Sequence, residues 1–207
     1  MNNDNKKDSV YIGEEHLDLL KEVGNIGAGN ATTALAQILN GKVDMEVPRV
    51  KILEFSELSD VLGGPDTQII GILFGLSRDI KGMMMFVLSE ESAKMLVNLL
   101  LGQEVGEEFS EMEMSTLKEI GNIISGAYVY SLSELCNMTI WTSVPYIAMD
   151  MAGAILSVPA MEIAKTADKA LIIETLFVDG INKIDGYFIL IPEEESYLDI
   201  LSKLGVR

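Results

Sequence analysis

The sequence has very little of the chemistry from which most enzymes build an active site. Its 207 residues include one cysteine, Cys136, and one histidine, His16. A disulfide framework is therefore excluded, and a reducing compartment such as the cytoplasm is expected. A zinc site and a cysteine–histidine nucleophile pair are excluded too, because the chain lacks the ligands and partners that they need.

Positive charge is also scarce. Fifteen Lys and Arg residues accompany 32 Asp and Glu residues, which gives a formal net charge of −17. A chain this acidic repels nucleic acid and anionic membranes, so we expect neither as a partner. Residues 1–12 lack the apolar segment of a signal peptide and are interpreted as a flexible tail. The most apolar run, starting at Ile69, meets charged residues too early to span a bilayer.

What the sequence does contain is a repeated unit. The segment LKEVGNIGAGN begins at Leu20, and LKEIGNIISGA begins at Leu117, 97 positions later. The same shift aligns Pro48 with Pro145, and at a slightly larger shift IKGMMMFVLSEES matches IDGYFILIPEEES. One fixed shift that serves several distant features indicates an internal duplication.

Each copy has the pattern of a helix, a strand, an irregular segment, two strands and a final helix. Long helices are predicted at 15–40 and 111–137, and residues 56–65, which contain two Gly and one Pro, are predicted to form a loop or short turn. Three strands alone need an apolar cover, so we expect both copies to share one six-stranded sheet covered by helices. The predicted class is α/β (α+β). The copies span about 15–102 and 111–207 of a single domain that covers 13–207.

One face of both long helices carries an unusual set of residues. Asp18, Glu22 and Asn25 are spaced so that they share a helical face, which continues to Gly29. The second copy repeats the set as Ser115, Glu119, Asn122 and Gly126. The opposite face is predicted to be buried through Leu20, Val23, Ile26, Leu35, Ile38 and Leu39. Asn and Gly weaken a helix. Exposed polar residues are usually only solvated and helical glycines often only allow close packing, but recurrence in both copies favours a function.

This pattern resembles the signature of the CheC/CheX/FliY phosphatases of chemotaxis. The signature is Asp or Ser, then Glu, then Asn, then Pro after about 22 further residues. Both copies match it, as Asp18, Glu22, Asn25 and Pro48 and as Ser115, Glu119, Asn122 and Pro145. The resemblance covers the chain beyond its N-terminal tail and implies a monomer with a pseudo-two-fold, three-layer α/β/α fold. It also implies a substrate, the phosphoaspartate of the response regulator CheY.

The residues themselves suit a substrate that brings its own positive charge. The chain has no Gly-rich phosphate loop, and neither polar face includes Arg or Lys. A receiver domain such as CheY holds Mg²⁺ and a Lys around its phosphoaspartate, so no cofactor of the chain's own is expected. What remains to be supplied is an oriented water, and positioning dominates phosphoryl transfer.

Roles follow for the residues of the two faces. Asn25 and Asn122 are expected to orient the attacking water, while Glu22 and Glu119 pair with the Lys of CheY. The remaining four residues are expected to contact the partner or leave room for it. These are Asp18, Gly29, Ser115 and Gly126.

A further partner and a rival function are also considered. Asp150 lies in MDMAGAILS, after the predicted first strand of the second copy, where CheD, a receptor deamidase, docks on proteins of this type. A plain amphipathic turn over the core is an equally good interpretation of that segment. The rival function is a non-catalytic binding module that sequesters phosphorylated CheY or regulates CheD.

Overall fold

The computed structural model describes residues 14–39, 44–163, 169–179 and 182–205. The predicted flexible tail lies outside these residues. The helices are α1 (Glu14–Leu39), α2 (Leu58–Val61), α3 (Glu90–Leu101), α4 (Glu111–Cys136), α5 (Ala152–Ile163) and α6 (Glu194–Lys203). The strands are β1 (Asp44–Glu46), β2 (Val50–Glu54), β3 (Gln68–Arg78), β4 (Gly82–Ser89), β5 (Ile140–Thr142), β6 (Tyr146–Met151), β7 (Lys169–Asp179) and β8 (Asn182–Pro192).

The start of α4 shows how local sequence sets the long helices. Ser110 is the N-cap, and its hydroxyl accepts a hydrogen bond from the backbone N–H of Glu113 at 3.3 Å. The Glu113 carboxylate returns the contact by accepting from the backbone N–H of Ser110 at 2.7 Å. This reciprocal capping box satisfies two N–H groups that a helix start leaves without intrahelical partners.

All strands of the described residues belong to one antiparallel sheet in which the two copies are interlocked. The order is β1-β7-β8-β4-β3-β5, with β2 also paired to β7 and β6 also paired to β3. The first strand of each copy is interrupted, so β1 with β2 and β5 with β6 each occupy one sheet position. The eight segments therefore fill six positions, as predicted. Each interrupted strand pairs with a strand of the other copy, because β2 pairs Val50 with Ile173 and β6 pairs Tyr146 with Leu73.

The centre of the sheet reveals the symmetry of the duplication. Strands β4 and β8 are neighbours, and Met85 pairs with Ile189. These two residues are equivalent in the match that aligns Ile80 with Ile184. An antiparallel pair of equivalent residues is related by a local two-fold axis perpendicular to the sheet. The approximate two-fold axis of the whole protein therefore passes between Met85 and Ile189.

Helices cover both faces of this sheet, which gives the predicted three-layer α/β/α arrangement. Along β4, Met84 and Phe86 join the core beneath α1, α3, α4 and α6, whereas Met85 and Val87 join the core beneath α2 and α5. This alternation follows from the two-residue period of a strand. The largest interhelical contact is between α1 and α4, the two helices that carry the repeated polar faces.

One local prediction was incomplete and two were wrong. Residues 62–65 form turns as predicted, but the first part of the 56–65 segment contains the end of a 3-10 turn and the short helix α2, with Leu58 fully buried under α5. The segment around Asp150 was placed after the strand, yet the strand resumes beyond Pro145 and Asp150 lies within β6. Ile26 was predicted to be buried, but it is 44% exposed.

The position of Ile26 has a simple geometric cause. At 3.6 residues per turn, Ile26 is rotated by about 120° from Leu20, which is buried. The buried face instead continues through the small residues Ala28 and Ala31. Leu20, Val23 and Leu35 are buried as predicted, and the side chains of Ile38 and Leu39 lie outside the described part.

Candidate active site

The polar face of α1 is presented to solvent as a continuous surface. Asp18, Glu22, Asn25 and Gly29 are all exposed. Glu22 and Asn25 are three residues apart, so they are separated by about 4.5 Å along the helix axis. Within the described residues, neither side chain forms a hydrogen bond or an ion pair. A carboxylate and a carboxamide, one helical turn apart, are therefore both available to a partner.

The polar face of α4 repeats this arrangement. Ser115, Glu119, Asn122 and Gly126 are also exposed. In the part of the chain that the structure covers, the side chains of Glu119 and Asn122 likewise form no hydrogen bond or ion pair. The fold thus presents the same pair of functional groups twice, on helices related by the approximate two-fold axis.

The glycines of the two helices divide into two kinds. Gly24, Gly27 and Gly121 are buried, and a Cβ at each would lie within 3.1 Å of a neighbouring atom. At Gly27 that neighbour is Tyr128 of α4, whose Cδ1 would lie 2.6 Å and whose Cα would lie 3.1 Å from the added carbon. By contrast, a Cβ at Gly29 or Gly126 would meet nothing within 4 Å. The first kind allows close packing, and the second leaves the exposed face bare.

The repeated prolines lie in the interruptions of the outer strands. Pro48 separates β1 from β2, and Pro145 separates β5 from β6. A proline has no N–H to donate to a sheet, which explains why the pairing stops there. Val47, which precedes Pro48, is 4% exposed and packs on Gly24, the residue before Asn25. Its Cγ1 would lie 3.1 Å from a Cβ added to Gly24. In the first copy the proline turn thus lies directly beside the polar face.

A cleft beside the polar face of α1 is lined by cationic residues that were not predicted to belong to the site. Asp18 and Lys21 of α1 line it together with Pro48, Arg49 and Lys51. The Lys51 ammonium donates to Glu174 of β7 at 2.8 Å. Arg49 is exposed and, within the described residues, forms no ion pair. The faces themselves lack cations, as predicted, but the strand after Pro48 adds one at the rim of the first site.

Other observations limit what the site can hold. Among the described residues, no group of three or more His, Cys, Asp or Glu side chains is placed to hold a metal ion. Within the same part of the chain, no helix is both long and apolar enough to cross a membrane.

Asp150 is exposed on β6, and its carboxylate accepts a hydrogen bond from the backbone N–H of Met151 at 2.7 Å.

These features define a class of protein: a duplicated α/β fold with equivalent Glu–Asn faces on two packed helices. The sequence profile of the CheC-like family matches residues 15–52 and 112–148, which are the long helix and first strand of each copy. The CheY-P phosphatase CheC of Bacillus subtilis is 35% identical over 95% of this chain and 98% of its own length. The chain belongs to the CheC-like family.

Two further relatives agree with this assignment. The flagellar motor switch phosphatase FliY of Bacillus subtilis is 26% identical over 67% of this chain and 36% of its own length. The crystal structure of Thermotoga maritima FliY superimposes with a TM-score of 0.76 over 94% of this chain and 98% of that chain, at 20% identity. This second similarity shows that the fold is shared.

Proposed function

We propose that this protein is a phosphatase that hydrolyses the phosphoaspartate of the chemotaxis response regulator CheY. The observation that carries the proposal is the repeated pair of an exposed glutamate and an exposed asparagine, Glu22 with Asn25 and Glu119 with Asn122. The similarity to a CheY-P phosphatase over nearly the whole chain supports the same substrate.

The proposed mechanism assigns the water to the asparagines. A carboxamide oxygen accepts a hydrogen bond from water and its NH₂ group donates, so Asn25 or Asn122 can fix one water in line with the phosphorus–oxygen bond. The water attacks phosphorus, the bond to the aspartate oxygen breaks, and the products are inorganic phosphate and the free carboxylate of CheY. An oriented water replaces the random encounters of bulk solvent, which lowers the entropic part of the barrier.

The glutamates are proposed to fix the position of CheY. Each lies one helical turn from its asparagine, so a carboxylate bound to the phosphate-contacting Lys of CheY would set the asparagine beside the phosphorus. CheY also supplies the Mg²⁺ that neutralises the phosphate. Gly29 and Gly126, which have open space above them, are proposed to admit the CheY loops that surround the phosphoaspartate.

The decisive experiment removes both carboxamides. Asn25→Ala combined with Asn122→Ala should abolish the accelerated loss of phosphate from CheY-P, and each single variant should retain part of it. Both side chains are exposed, so the folded fraction measured by circular dichroism should not change. A double variant that still binds CheY-P without hydrolysing it supports the water-orienting role. Full activity in the double variant would refute it, and a wild-type protein that binds without hydrolysis would favour sequestration.

CheD is proposed as a second partner, bound at the surface formed by Asp150 and α5. Asp150 of β6 is exposed, and α5 follows directly with Val158 38% and Met161 78% exposed. A surface that combines a carboxylate with apolar side chains suits a protein partner. Asp150→Arg should weaken CheD binding in a pull-down titration while CheY-P hydrolysis by the isolated protein stays unchanged. Unchanged CheD affinity would exclude this surface.

A further inference from the structure

A lysine lies at the edge of each polar face, one helical turn before the asparagine. Lys21 precedes Asn25 by four residues in α1, and Lys118 precedes Asn122 by four residues in α4. Side chains at this spacing are neighbours on a helix, with Cβ atoms about 5–6 Å apart. The proposed function gives a role to the glutamate and the asparagine of each face but none to this lysine, although the duplication repeats it with them.

The lysine and the glutamate of each copy lie on opposite sides of the asparagine. At 3.6 residues per turn, Lys21 is rotated from Asn25 by about 40° in one direction, and Glu22 by about 60° in the other. The second copy has the same angles because its spacing is identical. Each asparagine therefore has a positive group on one side and a negative group on the other.

The cleft beside the polar face of α1 shows that the charge of Lys21 is not compensated. Lys21 is half-buried and lines this cleft with Asp18 and Arg49. Within the described residues, Lys21 and Arg49 form no ion pair. The third cation of the cleft, Lys51, is held by Glu174 at 2.8 Å. Two unpaired cations and one unpaired carboxylate are therefore available to a partner that binds at the first site.

Stabilisation of the helix does not explain the lysine of the second copy. The positions three and four residues away from Lys118 are occupied by Met114, Ser115, Gly121 and Asn122. None of these is acidic, and in the part of the chain that the structure describes Lys118 forms no ion pair. Lys94 provides the contrast, because it pairs with Glu90 one turn away at 2.8 Å. In a chain with 32 acidic residues, an unpaired lysine beside each proposed catalytic asparagine indicates a role outside the fold.

Opposite charges on the two sides of the asparagine suit the phosphorylation site of CheY, which carries both signs of charge. The Mg²⁺ beside the phosphoaspartate has to be held by carboxylate oxygens of CheY. The same site contains the Lys that Glu22 and Glu119 are proposed to bind. A partner docked in the reverse orientation would bring like charges together, which costs affinity and thereby selects the productive orientation.

We propose that Lys21 and Lys118 bind carboxylates that border the phosphoaspartate of CheY, and that with the adjacent glutamates they fix the orientation of CheY on each helix. The inference rests on the proposed function, since it concerns how the same partner is bound. The lysines act on docking, whereas the asparagines act on the water. Loss of the ammonium groups therefore slows association and raises KM, and it leaves kcat nearly unchanged.

The test uses three pairs of substitutions in the full-length protein. Lys21→Met with Lys118→Met removes both charges but keeps an apolar stem, and Lys21→Arg with Lys118→Arg keeps the charges. Lys183→Met with Lys203→Met is the matched control, because it removes the same net charge from two exposed lysines outside α1 and α4. Values of kcat and KM are measured with CheY-P. Affinity and association rate are measured with CheY carrying Mg²⁺ and beryllofluoride, a stable stand-in for the phosphoryl group.

The expected result separates the first pair from the other two. At about 0.05 M NaCl the Met pair at Lys21 and Lys118 should raise KM and Kd about three- to fivefold, mainly through slower association, while kcat changes less than about twofold. At about 0.5 M NaCl the difference from the wild-type protein should shrink, because salt screens exposed ion pairs. The Arg pair and the control pair should resemble the wild-type protein at both salt concentrations. Circular dichroism verifies that each variant is folded.

Several results would overturn the inference while the proposed function stands. These are equal losses in the Met pair and the control pair, a fall in kcat with KM unchanged, or a loss of affinity that disappears when CheY carries Mg²⁺ without beryllofluoride, since that loss would assign the lysines to the phosphoryl group. Weaker binding by the Met pair, with no hydrolysis by the wild-type protein, would support the inference and refute the proposed function. Absence of binding to beryllofluoride-loaded CheY in the wild-type protein would refute both.

Discussion

The contrast between Gly27 and Gly29 allows a sharp test of the contact between α1 and α4. Both residues lie in α1, two positions apart, and neither has a positive φ. Replacing either with Ala therefore gives the same gain in helix propensity, about 1 kcal/mol. The difference between the two variants removes this shared gain and isolates the effect of the added methyl group on packing.

At Gly27 the methyl group has no room. It would lie 2.6 Å from Cδ1 and 3.1 Å from Cα of Tyr128. The Tyr128 ring cannot swing away freely, because it is stacked on Phe188 at 4.5 Å and its hydroxyl lies 3.1 Å from that of Thr175. Overpacking of this kind costs about 1–3 kcal/mol. At Gly29, where nothing lies within 4 Å, that cost is absent.

We therefore expect Gly29→Ala to stabilise the protein by up to about 1 kcal/mol, and Gly27→Ala to be less stable than Gly29→Ala by about 1–3 kcal/mol. For a chain of this size the difference corresponds to about 2–12 °C in Tm. Urea unfolding followed by far-UV circular dichroism measures it, with equal m values as the check that only stability changed. Agreement of the two variants within about 0.5 kcal/mol would refute the packing argument.

Three further predictions follow from the site and the core. The protein should hydrolyse p-nitrophenyl phosphate negligibly while accelerating dephosphorylation of CheY-P. The reason is that the phosphate of a free ester would be repelled by Glu22 or Glu119 by a few kcal/mol at an effective dielectric constant of about 20. Rapid hydrolysis of the ester that disappears when both asparagines are replaced would contradict this prediction. The isolated protein should bind no Mg²⁺ tightly, because each face presents at most two carboxylates and Mg²⁺ needs octahedral oxygen ligands; a micromolar site in calorimetry would disprove it. Burial raises the pKa of Tyr128 from 10.0 to about 12. Between these two pH values the folded state retains a proton that the unfolded state releases, so the free energy of unfolding should fall by about 1.4 kcal/mol per pH unit as the pH rises from 10 towards 12. Tyr128→Phe should remove that part of the alkaline loss in urea titrations at neutral and alkaline pH, and an unchanged slope would show that Tyr128 is not its source.

The long helices and the polar faces could be predicted because their signals are local and repeated. The helix predicted at 15–40 spans Glu14–Leu39, and the one at 111–137 spans Glu111–Cys136. Exposure of Asn25 and Asn122 follows from helical periodicity alone. The duplication strengthened both predictions, because chance rarely places the same pattern at the same position in two copies.

The errors arose where a neighbour from a distant part of the chain decides the structure. Leu58 lies in a Gly- and Pro-flanked segment that indicates a loop, yet packing under α5 makes it helical. Ile26 is apolar and was assigned to the core, yet α4 contacts the face of α1 that carries Gly27 and Ala31. Arg49 joins the rim of the site only because the proline turn folds back beside α1. None of these contacts leaves a local pattern in the sequence.

Each outer strand pairs with a strand of the other copy, and this arrangement limits when the sheet can form during synthesis of the chain. Val50 of β2 pairs with Ile173 of β7, a partner that leaves the ribosome more than 120 residues later. Before β7 is synthesised, β1 and β2 have no neighbouring strand in the sheet. The edge of β4 that pairs with β8 likewise stays unpaired until β8 is synthesised. The first half therefore cannot complete its sheet during its own synthesis, and loop closure over this distance makes the final pairing slow. The interlocked sheet therefore leaves the first copy accessible to chaperones and proteases until the strands of the second copy have been translated.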